Sequence, residues 1–225
     1  MSHRYDEAIT AAMEALAADV ANHTPIEKTL SEVTKNAVRF IDGVDFADIL
    51  LIKDGDFQSL AATSPIATKV DHAQFETGEG PCLDAVDRDV IVRCDDLHTE
   101  ARWPRFAPAA VALGVRSAMS FRLYTHGADS GALNLFGSEP GPFAVDPEAL
   151  GAMLATHAAV ALIALARHDQ FVSALASRDL IGQAKGIIME RFDVDAVRAF
   201  ELLTKLSQES NIPVRIIAGN LANGK

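Results

Sequence analysis

The stretch from Asp146 to Phe192 constrains this chain more than any other. Asp146 is placed to cap a helix and Pro147 to open it, and no clear stop follows until about Phe192. A helix of that length joins whatever folds before it to whatever folds after it, and no low-complexity linker interrupts it. Such a connection carries a change of rotation or register from one end to the other. Within it Leu154, Ala158, Ala161, Leu165, His168, Val172 and Leu175 recur at alternating spacings of four and three. That is an alanine-rich seam of three heptads, suited to close helix–helix contact in a dimer. The same positions also suit packing on a sheet, and both readings can hold on different parts of one helix.

The charge balance changes across this helix. Residues 1–169 carry 13 Lys+Arg against 25 Asp+Glu, and residues 170–225 carry 7 against 6. A net charge of −11 excludes a molecule that coats nucleic acid over its whole surface. With 49% hydrophobic and 23% charged residues the chain can build a core. The most apolar run, "HAAVALIALARH", is short of the roughly 18 residues that span a bilayer. The acidic, amphipathic N-terminus lacks a signal-peptide core, and the two cysteines fit a reducing compartment, so a cytoplasmic protein is expected.

Before the long helix the period changes twice. Ile9, Met13, Leu16 and Val20 predict an amphipathic helix; Thr24-Pro25 opens a second one through Ile26, Leu30, Val33, Ala37 and Ile41. Strand patterns follow: a hairpin over 45–63 around Asp54-Gly55, a strand at 89–97, and a second hairpin from 116–124 to 132–138 around the loop "THGADSG". Residues 65–88 read as a loop with one short helix in "GEGPCLDAV", and "RFAPAAVALG" reads as another helix. After Phe192, Asp195 caps a helix over 196–209, and Asn211 with Pro213 opens a last one near 213–222. Two domains are expected, 1–168 and 169–225. The fold class is α+β: an antiparallel sheet flanked by helices, joined by the long helix to a C-terminal three-helix bundle.

Two groups of residues invite chemistry. Cys82 and Cys94 read as buried small apolar residues, as a redox sensor, or as thiol nucleophiles. No standard metal-ligand spacing and no acid/base constellation accompanies them. The second group lies in "IGQAKGIIMERF", residues 181–192, which carries two glycines four residues apart although each costs roughly 1 kcal/mol against alanine in a helix. On a helical wheel Ile181, Ala184, Ile188 and Phe192 make the core stripe. Gly182 and Gly186 line up on an adjoining face with Arg178 and Met189, and Lys185 sits at the edge. Small residues at that spacing let another helix come close, or they open a groove beside the cations for a ligand.

The order of elements before residue 168, with "TGEGPCLDAV" (77–86), resembles a GAF domain. That resemblance implies a six-stranded antiparallel sheet with a small-molecule cavity on one face, often in dimers. The pattern of the cyclic-nucleotide class is absent, so the signal, whether small molecule or redox, and any cofactor stay open. Some GAF-like enzymes reduce methionine sulfoxide with a thiolate, and the alternative function is such an enzyme using Cys82 and Cys94.

Residues 173–211, "SALASRDLIGQAKGIIMERFDVDAVRAFELLTKLSQESN", resemble an ANTAR domain. The likeness rests on Arg178, Ala184-Lys185-Gly186, Ile188-Met189, Arg191, Ala199-Phe200, Leu203, Ser207-Gln208 and Asn211. It implies a cytoplasmic RNA-binding module, not an enzyme, that works as a homodimer. The module promotes transcription antitermination by binding paired stem-loops with hexanucleotide loops in nascent transcripts. On that expectation Arg178, Lys185, Arg191, Arg198, Lys205 and Arg215 meet phosphates, Gln183 and Gln208 read base edges, and Ala184 and Gly186 complete the contact strip. Phe200 is either a core-edge aromatic or a stacking platform for a loop base.

Overall fold

The computed structural model describes residues 9–11, 13, 14, 18, 25–53, 56–123, 130–141, 143 and 147–223. The expected caps Thr24 and Asp146, the turn Asp54-Gly55, most of the loop 125–131, and Leu16 and Val20 lie outside those residues. The chain divides into two compact units, 1–165 and 166–225.

In the first unit, helix α1 (Ile26–Phe40) precedes strands β1 (Phe46–Lys53) and β2 (Asp56–Leu60). Helices α2 (Pro65–Thr77) and α3 (Pro81–Asp87) lead to β3 (Ile91–Cys94). Then come α4 (Phe106–Ala112), β4 (Ser117–Leu123), β5 (Ser130–Gly137) and the start of α5 (Pro147–Phe192). The strands form one antiparallel sheet in the order β2-β1-β5-β4-β3. Five strands are described where the resemblance implies six.

Because side chains alternate across a strand, the sheet has two buried faces. Ala47, Ile49, Met119, Phe121, Leu133 and Leu135 point to one face and pack against α1 and the first four turns of α5. Gly151 brings α5 down onto the Phe121 ring; an added Cβ there would collide with it. The other face carries Ala118, Ala132 and Phe136, which pack beneath α2, α3 and α4.

Residues 65–88 hold two helices, not one. Ser64 Oγ accepts a hydrogen bond from the Ile66 amide at 3.2 Å and Pro65 starts the helix, an N-terminal signal the sequence carries plainly.

Helix α5 is long and apolar enough to cross a membrane by length and composition, with a mean hydropathy of 2.0 over 18 residues. The expectation of no such run is corrected: nothing between Glu148 and Arg167 is charged. Half of that window is buried within the protein, as in the core helix of a globular unit.

The second unit holds the rest of α5 with α6 (Ala196–Ser210) and α7 (Val214–Ala222). Asp195 accepts from the Arg198 amide at 2.8 Å and so caps α6. Ala184, Ile188, Ala199, Leu203, Ile217 and Ala218 form the small core. Phe192, expected in that stripe, is 62% exposed. The helix ends there, Asp193 turns the chain at φ +52°, and Val194 packs against the core instead.

Candidate functional sites

Within the second unit the expected RNA-contacting residues separate by exposure. Arg178, Gln183, Gly186, Arg191, Phe200, Lys205, Gln208 and Arg215 are exposed, and Lys185 is half-buried. Ala184 is a correction: it is fully buried between the helices and offers no surface to a ligand. Its smallness serves the close packing of α5 on its neighbours. Arg198 pairs with Glu201 at 2.8 Å and Lys205 with Glu209 at 3.8 Å. Among the described residues Arg178, Lys185, Arg191 and Arg215 make no ion pair.

The glycine strip is uncovered. A Cβ added at Gly182 or Gly186 would meet no atom within 4 Å, so neither glycine is there to admit another helix of the same chain. Phe200 stands 46% exposed, beyond the core edge, with Val197, Leu206 and Met189 also open on this unit.

The seam of α5 divides. Leu154, Ala158 and Ala161 are buried against the sheet. Leu165 is half-buried and His168 exposed, while Val172 and Leu175 are each 51% exposed and Phe171 is 65% exposed.

In the first unit Cys82 and Cys94 are both free and buried. Burial pushes the Cys82 thiol well up, and the Asp71 charge adds to it. Cys94 is pushed up to about 12, first by burial and then by its hydrogen bond to Glu100. Thiol catalysis needs a thiolate near neutral pH; Cys82 has no cation beside it, and at Cys94 burial and Glu100 outweigh the Arg102 charge. Both thiols are thus shifted away from the thiolate that a thiol enzyme uses. Among the described residues no group of three or more His, Cys, Asp or Glu is placed to hold a metal ion.

The "GEGP" loop is occupied with its own structure. Glu79 accepts from the amides of Arg105 and Phe106 at 2.8 and 3.2 Å and from Arg105 Nε at 2.7 Å, capping α4. The Arg105 hydrogen bond holds the Glu79 carboxyl below the usual range.

A polar row crosses the middle of the sheet beneath α2, and reading the sequence alone does not find it. Asp48 on β1 lies opposite Asn134 on β5, which lies opposite Ser120 on β4. Ser120 Oγ donates to Asn134 Oδ1 at 2.8 Å; Asn134 Nδ2 donates to Asp48 Oδ1 at 3.0 Å and to Asp71 Oδ1 at 3.2 Å. From α2, Gln74 Nε2 reaches Asp71 Oδ1 at 3.4 Å, and Gln74 Oε1 accepts from the Cys82 amide at 2.8 Å. Gly80 has φ +137° and no room for a side chain beside Gln74, so the turn into α3 is fitted to this network. The signal in the sequence is one polar residue in the centre of each apolar strand, Asp48 in "FADILLIK", Ser120 in "SAMSFRL" and Asn134 in "ALNLFG".

The GAF domain family model matches residues 23–163, and the ANTAR domain family model matches residues 169–221. No curated protein matches the chain. Among solved structures, an N-acylhomoserine-lactone-dependent LuxR family transcription factor from Burkholderia cenocepacia is 18% identical over 72% of this chain and 96% of its own, with a TM-score of 0.55. A phycocyanobilin-bound GAF domain from a cyanobacterial phytochrome is 16% identical over 68% and 93%, TM-score 0.52. Free methionine-R-sulfoxide reductase from Neisseria meningitidis is 17% identical over 68% and 87%, TM-score 0.51. At these identities the likeness is one of fold.

Proposed function

Since this chain belongs to the GAF domain family and carries an ANTAR domain behind it, we propose that it is a signal-responsive regulator that binds RNA stem-loops in nascent transcripts and so promotes antitermination in the cytoplasm. The observation that carries this reading is the uncovered strip of Gly182 and Gly186 beside Lys185, Arg178 and Arg191. Glycine is costly in a helix, and nothing among the described residues uses the space it leaves. A nucleic-acid backbone is a partner that needs close approach and cations without competing carboxylates. Exposed Phe200 offers a face on which a splayed loop base stacks, and Gln183 and Gln208 offer donors and acceptors for base edges.

The C-terminal module carries little net positive charge, so one copy has a modest electrostatic hold. Two copies joined through the exposed end of the seam, Val172 and Leu175 with Phe171, bind two hairpins on one transcript. The second contact is then intramolecular, and the apparent affinity rises. A small-molecule signal in the GAF unit acts on this through α5, provided it binds two helix arrangements unequally.

The test is a filter-binding titration against RNA with two hexanucleotide-loop hairpins, beside a scrambled-loop RNA, with Lys185→Ala in parallel. Loop-dependent retention is expected, with the mutant weaker and its salt slope reduced by about one per protomer. Equal retention of both RNAs, unchanged in the mutant, rejects the reading.

A further inference from the structure

Asp48 and Asp71 place two carboxyl groups where a charge is costly. They are 0% and 1% exposed, and both converge on the one amide nitrogen of Asn134. The second oxygen of each, Oδ2, is buried and accepts no hydrogen bond, and the neighbouring Ser59 Oγ is likewise buried without a partner. Facing the pair are Asn134 from β5, Gln74 from α2, Ser59 from β2 and the Cys82 thiol from α3, with Ser120 of β4 behind Asn134. None of these is a cation. Of the nearby side chains, the His72 ring packs edge-on against Phe57, while Arg122 Nε donates to the Ala85 carbonyl at 2.6 Å and its Nη2 is buried without a partner.

We propose that Asp48 and Asp71 form a proton-binding site, in which a proton held between their Oδ2 atoms ties helix α2 to strand β1 and its loss loosens α2. Two carboxylates with no cation beside them cannot both ionise in a dry site. One proton solves two problems together, because the Oδ2–H of one group donates to the orphaned Oδ2 of the other. The donors fit this state. Asn134 and Gln74 donate to the Oδ1 atoms, so the hydrogen is left to the Oδ2 side and belongs to the pair rather than to either carboxyl.

The electrostatics run the same way. Burial raises Asp71 to about 7, and burial, with the adjacent Asp71 charge, raises Asp48 well above the usual carboxylate range. Folded protein therefore keeps protons that the unfolded chain has already lost, and rising pH weakens the contact. The consequence reaches past α2, because Gln74 also holds the first amide of α3. With α4 these two helices form the layer over the sheet face, so a proton acts directly on the first unit. That the looser layer alters RNA binding rests on the proposed function; the proton site does not.

The experiment uses the full chain without RNA. Infrared difference spectra should show a buried protonated-carboxyl band persisting above about pH 6, where ordinary aspartates are ionised, and Asp48→Asn should remove it. Amide exchange across residues 65–77 should lose protection by up to about tenfold per pH unit as pH rises through 7. In Asp71→Asn, and in Asp48→Asn should the first fold poorly, that pH dependence should flatten. Absence of the band, or the same pH dependence in the variants as in the parent, overturns the proposal. RNA retention measured at the same pH values separates the two readings. Loss of loop-dependent retention at every pH, with band and exchange intact, would reject the RNA reading and leave the proton site standing.

Discussion

Alanine at position 182 or 186 would meet no atom within 4 Å, and a helix favours alanine over glycine by about 1 kcal/mol. Each of Gly182→Ala and Gly186→Ala should therefore stabilise the C-terminal unit by about that amount, read from its helical signal in urea. Loop-dependent RNA retention should fall in the same variants, because a methyl group now stands on the strip. A stabilised variant with undiminished retention would mean the glycines are not contacted. Gly151 and Gly80 behave differently, since each faces an occupied space: the Phe121 ring in one case and the Gln74 side chain in the other. One residue type thus serves packing in the first unit and leaves a surface bare in the second. Exposure of the neighbours separates the two roles, and sequence alone does not.

On the scale of elements, α5 carries one heptad pattern with two environments. Leu154 is 1% exposed on the sheet face, so Leu154→Ala should cost about 2–5 kcal/mol of stability in the first unit. Leu175 is 51% exposed, so Leu175→Asp should leave folding intact and shift the oligomer toward monomer in sedimentation. A monomeric parent, or a Leu175→Asp protein that sediments unchanged, would remove the seam from the proposed function. Both hairpins, the long helix and the C-terminal helices are legible from periodicity because their apolar residues mark the buried face. Helix α2 is not, for a physical reason. The residues it buries are Ala67, Val70, Asp71 and Gln74, so half of its inward face is polar and no apolar stripe appears. The buried site is hidden for the same reason. Asp48 and Asn134 stand 86 positions apart, and each looks like a lone polar interruption until the β1–β5 register sets them side by side.

For the whole molecule, the ionisable groups of the first unit pull in two directions with pH. Glu100 is held down to about 2, chiefly by Arg102, and Asp96 is lowered by the His98 amide and Arg116. The stability they contribute is present above the ordinary carboxylate range and is lost as pH falls through their lowered values. Asp48 and Asp71 have the opposite sign: their contribution is present below the unfolded value of 3.8 and is lost as pH rises through about 7. The two sets are favourable together only near about pH 4–5, acid of the range of roughly 5–8 where maximal stability tends to lie. Trp103 is the sole tryptophan and is 2% exposed in the first unit, so its fluorescence follows that unit without contribution from the C-terminal helices. Urea midpoints read at Trp103 should peak near pH 5 and decline through pH 8, with a shallower decline in Asp71→Asn. A plateau across neutral pH shared by parent and variant would place the net proton balance elsewhere. A peak that moves to neutral pH in Asp71→Asn would tie it to this pair.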